Sequence, residues 1–267
     1  MRSLFTSYII KNLKNLVKNC NKYAETSNFR EPFKKYDIYM RVRGYLLKKH
    51  EGDYVELFKD DNFIEDLRTI LRYFGMNQRG SILTPHNIFK ETLTQAGYYF
   101  NMLRQAKVTL ESLDPDNEIN NEKVSAIIQK IYEPFSFSNR LSQSGGIVVA
   151  SKTMHMIMPE LFIIIDGRIM KVLHSISDYH PHINDGSWYD IIPKYYGYKL
   201  NPYPLRYNWD YFNRYFAALF YYKRIILEWC QENNSDLQSF MELDTKSRSF
   251  PSRVIDKALW FLGGELH

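Results

Sequence analysis

The sequence predicts an all-α protein of about ten helices, and three observations carry that prediction. Apolar residues recur at spacings of three and four in nearly every segment, the period of a helix with one buried face. Alternating apolar–polar stretches are scarce, and no pair of them frames a tight turn, so half-buried strands and hairpins have no support. Repeats and low-complexity tracts are missing, so the helices should form a compact bundle rather than a solenoid. At 267 residues the chain is long enough for a single helical domain, divisible into two lobes at about 1–134 and 135–267.

The first helix is marked by Leu4, Ile9, Leu13, Leu16 and Val17, with Lys11, Lys14 and Lys18 on other faces. Ser27, Asn28 and Pro32 punctuate, and residues 34–50 form a second, basic helix. Its charges fit either a DNA-facing surface or an ordinary solvated face. Residues 61–74 read as a clean amphipathic helix with an acidic first turn, stopped by Gly75. In the polar turn that follows, Arg79 could reach a phosphate and Asn77 a base or sugar, or Asn77 could simply support the turn. Thr84 as N-cap and Pro85 at the first helical position open a helix running to about Leu113. Residues 122–132 form another, halted by Pro134.

Beyond residue 175 lies an aromatic, proline- and glycine-marked loop, 178–208, with Trp188 and Tyr195, Tyr196, Tyr198 and Tyr203. Such rings can stack on bases or pack between helices. His180 and His182, beside Asp178 and Asp185, are too few and too close to make a metal site, so no metal and no cofactor is expected. Residues 209–230 make the most apolar helix, central to the core, and 252–262 a short terminal one carrying Arg253, Asp256 and Lys257.

Composition narrows the function classes. Hydrophobic residues at 45% and charged residues at 24% are those of an ordinary globular protein. A net charge of +5 leans toward anionic partners without demonstrating one. Cys20 and Cys230 match no zinc spacing and suit a reduced, cytoplasmic setting. No apolar run approaches the roughly 20 residues that span a bilayer, so no membrane is expected. Phosphate-binding glycine loops, the zinc-protease His-Glu-x-x-His and the hydrolase Gly-x-Ser-x-Gly are all missing, which leaves nucleotide-driven and zinc-protease chemistry unsupported.

Residues 144–173 stand apart. Gly145 and Gly146 open an apolar run, 147–158, that Pro159 breaks. A short apolar link, 161–165, then ends on Asp166, where a carboxylate can cap the helix that follows. The order is helix, glycine turn, buried helix, extended link, capping aspartate, helix. Glycine amides at a helix start can hold an anion. They can equally let two helices pack closely.

This order resembles the helix-hairpin-helix DNA glycosylases of the oxoguanine and endonuclease-III type, over roughly residues 138–173. The resemblance implies DNA as partner, a hairpin at Gly145 and Gly146 that grips phosphates, and a catalytic role for Asp166. In that role Asp166 would stabilise the cationic sugar as the base departs. The family hairpin reads leucine-proline-glycine-any-glycine, whereas here Leu141-Ser142-Gln143-Ser144-Gly145-Gly146 lacks the proline and the glycine spacing. Where bifunctional members carry a nucleophilic lysine, Val148 stands, and Lys152 comes one turn later. Two cysteines exclude the iron–sulfur subgroup.

The residues themselves keep a second reading open. Lys152 and His155 share one strip of an apolar helix. A buried lysine with a lowered pKa would suit nucleophilic chemistry, yet it could instead pair with Asp166, Glu160 or Asp256. Arg168 and Arg140 are candidate phosphate contacts, His155 a further DNA contact, and Asp166 could be a cap only. The alternative function is a non-catalytic helical module that binds nucleic acid or protein.

Overall fold

The computed structural model describes residues 4–77, 82–114, 118–178, 209–245 and 250–266. Among the described residues eleven helices run in the order α1 (Leu4–Thr26), α2 (Arg30–Lys49), α3 (Tyr54–Leu57), α4 (Asp61–Tyr73), α5 (His86–Gln105), α6 (Glu118–Ser136), α7 (Ile147–Ile157), α8 (Gly167–Asp178), α9 (Trp209–Glu232), α10 (Leu237–Met241) and α11 (Pro251–Glu265). Among the described residues no strand forms, and isolated bridges at Leu83–Ser142 and Ser138–Ser142 are the β-type pairings present. The all-α class is therefore correct, while Arg79 and most of the aromatic loop lie outside the described residues.

Local chemistry sets most boundaries. Asp53, Asp60 and Asp236 cap α3, α4 and α10, each carboxylate accepting from the amide two or three residues on. At α5 the expectation was off by one. Pro85 is the N-cap, and Thr84 instead donates its hydroxyl to the Arg140 carbonyl at 2.6 Å, tying the α4–α5 loop to the turn before α7. Helix α5 ends at Gln105, short of Leu113, because Lys107 turns to a φ of +51°. Pro134 does not halt α6; it sits inside the last turn, which runs on to Ser136.

The apolar faces meet in one core that draws on every long helix. α1 lies along α11 and α8 packs on α11, so the first and last helices are neighbours. Gly263 on α11 allows that closeness, since a Cβ there would overlap the Arg168 carbonyl of α8. Helix α7 is enclosed: nine of its eleven residues, all but Val148 and Lys152, are buried. No helix among the described residues is long and apolar enough to cross a membrane.

Candidate functional site

Helix α7 is fixed at its N-terminus by the turn that precedes it and at its C-terminus by residues of α2, distant in sequence. At its N-terminus Gly145 and Gly146 adopt φ of +67° and +97°, with Gly146 as N-cap. The Gly145 amide donates to Ser142 Oγ at 3.0 Å and the Gly146 amide to the Ser136 carbonyl at 2.7 Å. A Cβ on Gly145 would press on Phe137 C and Ser138 N at 2.6 and 2.7 Å, while Gly146 has open space around it. Both glycine amides thus have partners within the chain, and a phosphate held by them would compete with those bonds.

At the other end, α2 presents Tyr36, Tyr39 and Arg43, spaced three and four apart on one face. The Tyr39 hydroxyl donates to the Met156 carbonyl at 3.1 Å and Arg43 Nε to the Ile157 carbonyl at 2.6 Å, satisfying carbonyls that a helix end leaves open. Arg43 also holds Glu160 at 3.0 Å, which takes Glu160 away from Lys152.

The extended link between α7 and α8 is pinned along its length. The Ile165 amide donates to Ser151 Oγ at 3.0 Å, Ser252 Oγ to the Pro159 carbonyl at 2.8 Å and the Tyr215 hydroxyl to the Ile163 carbonyl at 3.3 Å. It delivers Asp166, half-buried, to the start of α8. Its Oδ1 accepts from the Arg168 and Ile169 amides at 3.0 and 3.1 Å, the geometry of an N-cap.

Lys152 reaches the opposite way. Its Nζ donates to the Phe74 carbonyl at 2.6 Å, where α4 ends. Burial holds this amine below the ordinary lysine range, and the nearby Asp166 carboxylate partly offsets that effect. The turn it touches borders a shallow groove of about 460 Å³ lined by Thr69, Arg72, Tyr73, Gly75 and Asn77. Lys152 is therefore tied to the turn at the end of α4, beside Asn77, while Asp166 is held on the amides of α8.

The other candidates are placed elsewhere. His155 is fully buried, with Nδ1 2.7 Å from the Phe162 carbonyl and Nε2 2.9 Å from the Tyr36 hydroxyl. Nδ1 therefore carries the proton, and the Tyr36 hydroxyl donates to Nε2. Arg168 lays its guanidinium over the Trp260 ring at 4.0 Å and near Phe29 at 5.7 Å, a cation–π stack between α8 and α11. Arg140 is exposed in the turn before α7.

Sequence reasoning named Arg253 and Asp256, the latter as a possible partner of Lys152, but did not place Asp256 beside His155. Asp256 is buried, accepts from the Tyr222 hydroxyl at 3.0 Å, and has its Oδ2 3.9 Å from His155 Nδ1. Burial pushes this carboxyl up to about 8, so it is mostly protonated at neutral pH, and burial pushes His155 down to about 3. Two neutral groups make no ion pair. Arg253 lies over Phe33 and Tyr36 at 4.7 and 4.5 Å and supplies the positive charge there. The tyrosine–arginine stripe on α2 was a readable signal for a helix end needing caps; nothing local marked Asp256 as a neighbour of His155. Among the described residues no group of three or more His, Cys, Asp or Glu is placed to hold a metal.

No family model matches this chain, and neither a curated protein nor a solved structure matches it.

Proposed function

We propose that the chain is a DNA-binding protein organised like the helix-hairpin-helix glycosylases and that it releases bases by hydrolysing the bond between base and sugar. The observation that supports the reading is Asp166 itself, which follows the extended link from α7 and caps α8 through Oδ1, the position of the catalytic aspartate in that family's order of elements. In that arrangement Asp166 keeps Oδ1 on the helix amides, and its second oxygen is the one that would face a cationic sugar. The departing base takes the bonding electrons, and water supplies the new C–O bond and the protons. A base must leave the duplex stack to reach such a group. Lys152 would serve as the nucleophile if strand cleavage accompanies base loss, its lowered pKa leaving more free amine at neutral pH.

A second reading has its own observation. The hairpin amides, Lys152 and Arg168 all have partners inside the chain, as expected of a binding module without chemistry. Incubation with duplexes that each carry a different damaged base separates the two. Free base released by the wild type supports excision. Salt-sensitive binding with no product from any duplex supports the module.

A further inference from the structure

The net charge of +5 hides an asymmetry. Residues 1–50 hold twelve Lys and Arg against three Asp and Glu, a balance of +9, so the remaining residues carry a net −4. The excess sits on α1 and α2, and on α1 it is ordered. Lys11, Lys14, Lys18 and Lys22 follow at spacings of three, four and four, which stacks them in one row along the helix. All four are exposed, and none pairs with a carboxylate among the described residues. Asn15 and Asn19 stand beside them, exposed too, and no acidic residue occurs on α1 before Glu25.

We infer that this row on α1 is a docking surface for the phosphate backbone of duplex DNA. The inference rests on the DNA-binding reading above, and adds where the backbone is held. At about 1.5 Å per residue, the row from Lys11 to Lys22 is about 16 Å long. One strand of a duplex sets a phosphate about every 3.4 Å of axis, so four ammonium groups face a run of about five phosphates. Amides of the Asn15 and Asn19 type donate to phosphate oxygens and fix orientation without reading sequence.

An anionic membrane is the competing occupant, and the face argues against it. Interfacial helices insert a broad apolar face beside their basic residues. Here the apolar face of α1, Ile9, Leu13, Leu16, Val17 and Cys20, is already buried in the core. Between Lys11 and Lys22 the exposed positions are all polar. Protein partners with acidic helices would meet the same row, but a regular series of cations whose exposed rings, Tyr8 and Tyr23, lie only at its two ends suits a uniform polyanion better than a protein hot spot.

The test is fluorescence anisotropy of a labelled undamaged duplex, titrated with the full chain at several salt concentrations. Three proteins are compared: wild type, the quadruple Lys→Gln change at Lys11, Lys14, Lys18 and Lys22, and a control with Lys59, Lys107, Lys123 and Lys130 changed to Gln. The row variant should lower the slope of log affinity against log salt by about 3 to 4, on duplexes of any sequence. The control, with equal charge loss, should change it by less than about 1. Circular dichroism should show α1 unchanged, since every altered side chain points to solvent.

An unchanged slope in the row variant, or an equal loss in the control, overturns the inference and leaves the DNA-binding reading standing. Absence of duplex binding by wild type overturns both. Wild-type binding to equimolar phosphatidylserine–phosphatidylcholine vesicles but not to the duplex would hand the row to a membrane. Slope loss in the row variant, with no base released from any damaged duplex, supports the inference while removing the excision chemistry.

Discussion

The Tyr36 hydroxyl donates to Nε2 of His155 across 2.9 Å, inside the core where α2 crosses α7. The bond needs a neutral imidazole, and a neighbouring neutral carboxyl, Asp256, completes the pocket. Both groups owe their protonation to burial, which makes them the source of an unusual pH dependence.

On unfolding, His155 returns from about 3 to 6.5 and Asp256 from about 8 to 3.8. Below pH 6.5 the unfolded chain binds a proton that folded His155 refuses, so this group lowers stability as pH falls toward about 3. Above pH 3.8 the unfolded chain has released a proton that folded Asp256 keeps, so this group lowers stability as pH rises toward about 8. The two slopes oppose each other between 3.8 and 6.5, and only the Asp256 slope remains from 6.5 to about 8. Urea midpoints should therefore decline through that upper window, and Asp256→Asn should abolish the decline. A variant that falls in parallel with wild type would contradict the assignment.

The two hairpin glycines should behave differently. Gly145→Ala places a methyl against the backbone of Phe137 and Ser138 at a positive φ, and is expected to unfold the turn or cost more than about 3 kcal/mol. Gly146→Ala meets open space and is strained only through its backbone, whose φ of +97° and ψ of 173° lie in a region nearly confined to glycine, at about 1–3 kcal/mol. Denaturation of the two purified variants checks this order, and equal losses would argue against the described turn. Gly146→Ala is then the variant in which DNA binding can be judged on an intact fold.

Lys257 and Asp244 form a buried ion pair at 2.6 Å, with Asn21 bonded to both. Changing Lys257 to Met leaves a buried carboxylate short of its cation and should cost about 3–5 kcal/mol. Changing Asp244 to Asn in the same protein should recover part of that loss, because the orphaned charge is gone. Chemical denaturation of single and double variants measures the recovery; a purely additive result would mean the pair does not act as one unit.

Much of the frame was legible because its signals are local. Asp166 follows an apolar link and precedes a glycine, and it caps α8 as that order implies. The 61–74 amphipathic pattern and Gly75 gave α4 almost to the residue. Thr84 was misjudged because its hydroxyl found a tertiary partner, the Arg140 carbonyl, 56 positions away in sequence. For the same reason the partner of Lys152 could not be chosen among Asp166, Glu160 and Asp256. Glu160 was taken by Arg43, Asp256 by Tyr222, and the bond went to a main-chain carbonyl on α4. Backbone acceptors leave no mark on side-chain spacing, and a buried arginine such as Arg253 reads in sequence like a surface one.

The α7–α8 pair can also be separated by function. Lys152→Met keeps the stem in its apolar surroundings and removes one hydrogen bond, so the fold should persist. If Lys152 acts as a nucleophile, borohydride will trap wild type on a duplex and will not trap Lys152→Met. Trapping of the variant at the wild-type level would exclude this lysine.

The central claim concerns Asp166, and single-turnover base release from a damaged duplex tests it most directly. Asparagine caps a helix about as well as aspartate, so Asp166→Asn should keep α8 and duplex binding intact. It removes the charge that would stabilise the sugar cation, and the predicted rate falls by about 10²–10³, in line with loss of one electrostatic contact at a reacting centre. A variant that releases base at the wild-type rate would contradict the claim, as would a wild type that releases none.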